Sequence, residues 1–430
     1  MTYQMNGEVN TMELTKQFGS PLYVYDLGIV SERAKELREQ LPQNSQIYYS
    51  LKSNPLPSIV NHLVKQGCRL EVTSENELAV ACNSGIDNEL ILYGGPGKTE
   101  SEIKQALVFG VRQFSVESWV DWERISMIAS NMNISCRALL RVNPSKALNN
   151  GLSMSGTKSQ FGFEEDDVIG GWSRVEQSKS LKVIGFHIYY GTQMKNSAEI
   201  ADAAYEALQS VERICEKTNF TPEVVNLGGG FPWAYAKEQT DTNINGLAPQ
   251  LEKHINEFSF RDKAEIWFES GRYLSASSGT LVSKVLDIKK SKDDSVFVVL
   301  DSGINTLGGM SGIGRIPRGY NATKVISSDE SKVKNIDGEF VANLVGPLCS
   351  PLDCMNRKQL LPNFLQIGDL ITIPNVGAYG LTASLVAFLT RPPAIEVVLL
   401  NNSVTAVHRL RHGHENLTDL YKLEEELNHV

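Results

Sequence analysis

Short apolar runs and amphipathic stretches alternate along much of the chain. The runs fall at 47–50, 69–72, 90–93, 112–115, 137–141, 183–188, 223–227 and 265–268. Rich in β-branched and aromatic residues, they predict strands. Apolar positions recur with helical spacing near 29–40, 57–66, 75–84, 100–109, 118–130, 165–177, 195–216 and 246–259. That spacing predicts helices with one buried face. Eight strands separated by helices point to a (β/α)8 barrel; a doubly wound open sheet normally ends with fewer strands. One further strand is expected at 20–26, ahead of the first helix.

Past Arg272 the texture changes. Runs at 281–289, 296–301, 340–346, 369–375, 394–400 and 403–410 follow one another with turns between them. Helical spacing is confined to a stretch near 379–388 and to the last dozen residues. This predicts an all-β domain of sandwich or barrel type. The expected architecture is therefore α/β: a (β/α)8 barrel over 28–270, and a β domain from 271–430 that takes in residues 1–27.

A chain of 430 residues is too long for one ordinary core, which agrees with two domains. A net charge of −9, with no Lys/Arg cluster to offset it, argues against nucleic acid as a partner. Residues 1–10 are polar without the apolar core of a signal peptide, and no apolar run reaches transmembrane length. Six cysteines are scattered without framework spacing, so reduced thiols and a cytoplasmic location are expected. His408, His412 and His414 lie beside Arg409 and Arg411, which favours a solvated basic strand end over metal ligation, and no metal is expected.

In a barrel of this kind catalytic groups sit at the C-terminal ends of the strands. Those positions hold Lys52, Glu71 with Ser74, Arg141, His187 with Tyr189, Gly228-Gly229-Gly230, and Glu269 with Arg272. Lys52 ends an apolar strand before a turn that Asn54-Pro55 enforces. An ammonium there is costly unless exposed, paired or chemically used. Desolvation would lower its pKa and free the amine to attack a carbonyl. A glycine run directly after a strand offers bare amides to a phosphate, and Arg272 adds a guanidinium. Glu269 could keep a pyridine nitrogen protonated. Each feature has a plainer reading: a surface lysine, a tight turn, a local ion pair, a hydrogen-bonded core histidine. Their joint occurrence at the strand ends of one barrel points to pyridoxal 5′-phosphate (PLP) held as a Schiff base.

At this point the sequence resembles the fold-type III PLP decarboxylases, the family of the ornithine, arginine and diaminopimelate enzymes. The matching motifs span nearly the whole chain. They include Pro21-Leu-Tyr-Val-Tyr-Asp26, Tyr49-Ser-Leu-Lys52-Ser-Asn54, Glu71-Val-Thr-Ser74, Gly185-Phe-His187-Ile-Tyr189-Tyr-Gly191-Thr192-Gln193 and Gly228-Gly-Gly-Phe231. Glu269-Ser-Gly271-Arg272, Gly346-Pro-Leu-Cys349-Ser350-Pro-Leu-Asp353 and Gly377-Ala-Tyr379-Gly380 complete them. The resemblance implies an alanine-racemase-like barrel and a head-to-tail homodimer with shared active sites. It also implies cofactor attachment at Lys52, with Glu269 on the pyridine nitrogen. Thr192, the glycine run, Gly271, Arg272 and Tyr379 would hold the phosphate, and Glu71 and Arg141 would border the cofactor. Cys349 from the other subunit would protonate the carbon left by carbon dioxide, and Ser350, Asp353 and Phe388 would face the substrate.

Three departures from the family pattern stand out. Tyr189 replaces the histidine that stacks on the cofactor, Gln160 opens a Gln-Phe-Gly where Lys-Phe-Gly is usual, and Ser350 replaces an acidic residue after the cysteine. These variants are most similar to a branch in secondary metabolism that includes the butirosin-pathway decarboxylase. That enzyme acts on a glutamyl group tethered to an acyl-carrier protein. The expected activity is α-decarboxylation of a tethered or acylated L-amino acid, with a free diamino acid as the alternative substrate. A racemase would need a second acid–base group opposite Lys52, and a non-catalytic homologue would be expected to have lost Lys52 or Cys349.

Overall fold

The computed structural model describes residues 4–5, 8–143, 152–153, 160–236, 244–308, 324–327, 329–411 and 413. The last-dozen helix expected from the sequence, and His412 and His414, lie outside them. Strand β1 (Leu22–Asp26) leads into the helix Leu27–Glu39, whose N-terminus the Asp26 carboxylate caps through Gly28 N at 2.7 Å. Eight parallel strands follow: β2 (Gln46–Ser50), β3 (Arg69–Val72), β4 (Ile91–Tyr93), β5 (Gln113–Val116), β6 (Cys136–Asn143), β7 (Leu181–Ile188), β8 (Val224–Asn226) and β9 (Glu265–Ser270). They pair in sequence, and β9 returns to β2, closing a (β/α)8 barrel.

Strand alternation divides the barrel interior into layers. Tyr48, Leu92, Leu139, Ile184, Val224 and Trp267 form one buried apolar cluster, one residue from each of six strands. Two residues further along the same strands come Ser50, Gly94, Arg141, Asn226 and Glu269, which are polar or bare. The apolar layer is the floor on which the polar layer stands. At β7 the register slips by one residue between Val183 and Gly185. Gly185 is needed there because a Cβ would run into the backbone carbonyl of Val224.

The elements expected from the sequence agree with the structure to within a few residues, with some informative exceptions. The helix expected over 165–177 is two short ones, Glu165–Gly170 and Trp172–Gln177. They break at Gly171, where any side chain would collide with the Trp119 indole. The stretch near 379–388 contains only single turns, Leu381–Ala383 and Phe388–Thr390. A helix at Thr11–Phe18, capped by Asn10, was not expected.

The remaining strands of three or more residues build a second sheet. They are β10 (Gly279–Lys290), β11 (Val296–Leu300), β12 (Lys324–Ile326), β13 (Glu339–Val345), β14 (Cys354–Pro362), β15 (Leu370–Ile373), β16 (Ile395–Leu400) and β17 (Ser403–Arg409). The order is β14–β13–β11–β10–β1–β16–β17, with β15 also paired to β10 and β12 to β15. N-terminal β1 belongs to this sheet, as the sequence predicts, and is an interior strand of it between β10 and β16. β14 escaped the pattern because it is an edge strand carrying Asn356, Arg357 and Lys358, with no apolar alternation to betray it.

Candidate active site

A cleft open to solvent at its mouth lies at the C-terminal end of the barrel strands. Its walls gather Lys52, Glu71, Arg141, Tyr189, Thr192, Gly229, Gly230, Glu269, Gly271, Arg272 and Tyr379 from across the sequence. Gly228 stands just behind: its amide donates to Asn226 Oδ1 at 2.9 Å, and its carbonyl accepts from Glu269 N at 2.7 Å. Asn226 Nδ2 in turn donates to Glu269 Oε1 at 2.8 Å, so one side chain sets both the glycine run and the carboxylate.

Lys52 begins where β2 tightens into a single turn, Leu51–Ser53. The turn stitches itself together: Ser53 Oγ donates to Ser50 O at 2.9 Å, and Tyr49 OH donates to Asn54 O at 2.8 Å. The second sheet clasps it from outside, with Tyr379 N donating to Ser53 O and Asn54 Nδ2 donating to Gly377 O, both at 2.7 Å. Burial opposes the Lys52 charge, but Glu71, the Tyr379 and Tyr189 phenols and Glu269 together outweigh it and hold the ammonium above the ordinary lysine value. This reverses the lowered pKa expected from desolvation. The reason is visible in the site, because the lysine side chain is open to the cleft and faces two carboxylates. Burial raises the pKa of both Glu71 and Glu269, against the pull of Lys52.

Tyr379 adopts a left-handed conformation (φ 54°), rare for an aromatic residue. Its carbonyl accepts from Tyr235 OH at 2.9 Å, and its ring lies 4.6 Å from the Arg272 guanidinium. Thr192 is placed by its neighbours: Gln193 exchanges hydrogen bonds of 2.9 and 3.0 Å with the Trp233 backbone, and Met194 N donates to Gly230 O at 3.1 Å. Arg141 is engaged by Glu117 at 2.7 Å, whose other oxygen accepts from Gly162 N at 2.9 Å. The Gln160-Phe161-Gly162 segment thus backs onto Arg141, with the Phe161 ring 4.8 Å from the guanidinium.

Cys349, Ser350, Asp353 and Phe388 stand apart from this cleft. Cys349 is exposed on the loop between β13 and β14, and Phe388 is exposed nearby in sequence to Leu385 and Leu389, also exposed. Asp353 is buried, accepting from Ile304 N at 2.8 Å and Leu348 N at 2.7 Å, with Gly303 and Gly346 packed flush against its carboxylate. Asp353 thus has a task of its own in the fold: Oδ2 braces the Cys349 loop through Leu348, and Oδ1 ties that loop to Ile304. His408 bonds Ser58 Oγ at 2.8 Å, fastening β17 to the barrel. Sequence reasoning left out Ser115 and gave His187 no role. Both line the cleft, and both are the last inward-facing residues of their strands, a signal the i, i+2 alternation carries.

Residues 27–276 match the family described as pyridoxal-dependent decarboxylase, pyridoxal binding domain. The chain belongs to this family. It is a PLP-dependent amino-acid decarboxylase. It is similar to the L-glutamyl-[BtrI acyl-carrier protein] decarboxylase of Niallia circulans, at 32% identity over 92% of each chain. It is also similar to the diaminopimelate decarboxylase of Zymomonas mobilis, at 28% identity over 96% of this chain and 95% of that one. The crystal structure of Helicobacter pylori diaminopimelate decarboxylase complexed with L-lysine superposes with a TM-score of 0.79, at 27% identity over 96% and 99% of the two chains.

The cleft of this decarboxylase fits PLP on its own geometry. Ser270 Oγ is buried in its wall without a hydrogen-bond partner among the described residues. A Cβ on Gly228 would sit 2.5 Å from the Tyr189 ring, and one on Gly229 would strike the Glu269 carbonyl. Only bare backbone passes there, as an anion cradle requires. No helix among the described residues is long and apolar enough to cross a membrane.

Proposed function

We propose that this enzyme removes the α-carboxyl of an L-amino acid whose distal end carries no free ammonium, a carrier-protein-tethered or otherwise acylated substrate. One observation carries this reading: the Cys349 loop offers no free carboxylate. Ser350 follows the cysteine, and both Asp353 oxygens are bonded to backbone amides. Burying a distal ammonium without a partner costs several kcal/mol. The similarity to the Niallia circulans carrier-protein enzyme supports the same substrate class. Similarity to diaminopimelate decarboxylases favours a free diamino acid as the second reading.

In this reading Lys52 would attach the cofactor and Glu269 would hold its pyridine nitrogen. Gly228–Gly230, Thr192, Gly271, Arg272 and Tyr379 would hold its phosphate, with Glu71, Arg141 and Tyr189 bordering it. When bound, PLP supplies the electron sink for the charge left on Cα. Cys349 Sγ, exposed on its own chain, reaches the cleft of a second copy and delivers a proton to that carbon. Exposed Leu352, Leu385, Phe388 and Leu389 support such a homodimer. Residues 28–270 then form the cofactor-binding unit, and 1–27 with 271–430 the unit that presents Cys349, in a cytoplasmic protein.

The test is kcat/KM, measured by carbon dioxide release, for ornithine, lysine and diaminopimelate against glutamyl- and aspartyl-type thioesters. Thioesters should win. Efficient turnover of a free diamino acid, with thioesters inert, would overturn the substrate assignment.

A further inference from the structure

His187 is the last inward residue of β7 and is buried in the wall of the cleft. Its Nδ1 lies 2.9 Å from Ser115 Oγ, while its Nε2 has no hydrogen-bond partner among the described residues and stands 3.5 Å from Glu269 Oε1. Ser115 is itself fixed, since its carbonyl accepts from buried Lys98 Nζ at 2.9 Å, and Lys98 pairs with Asp121 at 2.7 Å. An imidazole lone pair turned toward a carboxylate would be repelled, whereas an N–H turned toward it is attracted. Ser115 must then donate into Nδ1, and the ring proton belongs on Nε2.

We propose that His187, neutral and carrying its proton on Nε2, is a positioning residue that keeps Glu269 ionised and aimed into the cleft. The inference rests on the reading of Glu269 as partner of the pyridine nitrogen. The groups facing the ring are Arg141 and Lys52, which oppose a second proton, and Glu117, Glu71 and Glu269, which favour one. Burial and Arg141 prevail and push the imidazole down to about 3, so it does not titrate in the working range. A neutral donor is suited to this place. A charged one would form an ion pair and compete with the ring nitrogen for the carboxylate.

Two measurements decide. In the cofactor-free protein, nitrogen-15 NMR of His187 should show Nε2 protonated and Nδ1 bare from pH 5 to 8, with the preference lost in Ser115→Ala. An Nδ1-protonated ring, or one titrating in that range, overturns the proposal. In the holoenzyme, His187→Phe should move the acid limb of kcat up by about one pH unit, because Glu269 protonates more readily. KM should change by less than about twofold, and His187→Gln, which can donate from the same place, should return the limb toward wild type. An unmoved limb in His187→Phe overturns the proposal, since a merely structural role would lower stability or cofactor loading and leave that limb alone. Glu269→Gln separates the two readings: full activity there refutes the role of Glu269 itself, whereas loss there with an unmoved His187→Phe limb refutes only the role of His187.

Discussion

Glu396 offers a stability test that does not depend on turnover. It sits on β16, is 6% exposed, and accepts one hydrogen bond, from Tyr25 OH at 3.1 Å. Burial pushes its carboxyl up to about 7. In the unfolded chain the same group titrates near 4.5. Between those values the folded state holds a proton that the unfolded state has lost, so stability is fully present below about 4.5 and drains away as pH rises through 7. The gap of about 2.5 pH units corresponds to roughly 3 kcal/mol lost at pH 8, an upper bound for one buried carboxyl. Glu396→Gln keeps the acceptor for Tyr25 and cannot ionise. Denaturation midpoints of the two proteins, both saturated with cofactor, should lie close together at pH 4.5, separate steadily between about pH 5 and 7 and level off above that, the variant being the more stable. A difference that stays flat from pH 5 to 8, or favours the wild type at pH 8, would refute the reasoning.

Lys52→Ala should abolish turnover and the visible band of the protein-bound cofactor, as absorbance will show; full activity without added amine would contradict attachment there. Mixing inactive Lys52→Ala with inactive Cys349→Ala chains should restore partial carbon dioxide release, one cleft in a heterodimer being intact; no recovery after verified subunit exchange would count against a shared cleft. Gly229→Ala forces a methyl against the Glu269 carbonyl and should weaken cofactor binding by about tenfold or more, read by cofactor titration. Lys98→Met strands buried Asp121 and should cost about 3–5 kcal/mol in thermal or chemical denaturation, much of it recovered when Asp121 is made Leu as well.

The barrel was legible because strand and helix periods alternate without interruption, and because its inward positions switch from apolar to polar within two residues. That switch, Tyr48 to Ser50 or Trp267 to Glu269, places the cleft before any contact is known. Three things were hidden for different reasons. Edge strand β14 buries Met355 and Leu361 but is polar from Asn356 to Gln359 between them, so no period-2 alternation survives. The break at Gly171 answers to Trp119, more than fifty residues earlier, a partner that periodicity cannot reveal. The charge state of Lys52 depends on two carboxylates from β3 and β9, and desolvation alone gave the wrong sign. Asp353 shows the converse: its motif marks it, but only the structure reveals that backbone amides occupy it.

The two hydrogen bonds that clasp the Lys52 turn, from Tyr379 N and to Gly377 O, tie the history of the two folding units together. A barrel cut free after β9 would retain Lys52, Glu71 and Glu269, yet lose Tyr379 and the outer wall of the lysine turn. Neither unit can therefore be exchanged between relatives as an independent cassette. A chimera must import residues 375–380 together with the turn they grip, or inherit a lysine whose backbone has no fixed address.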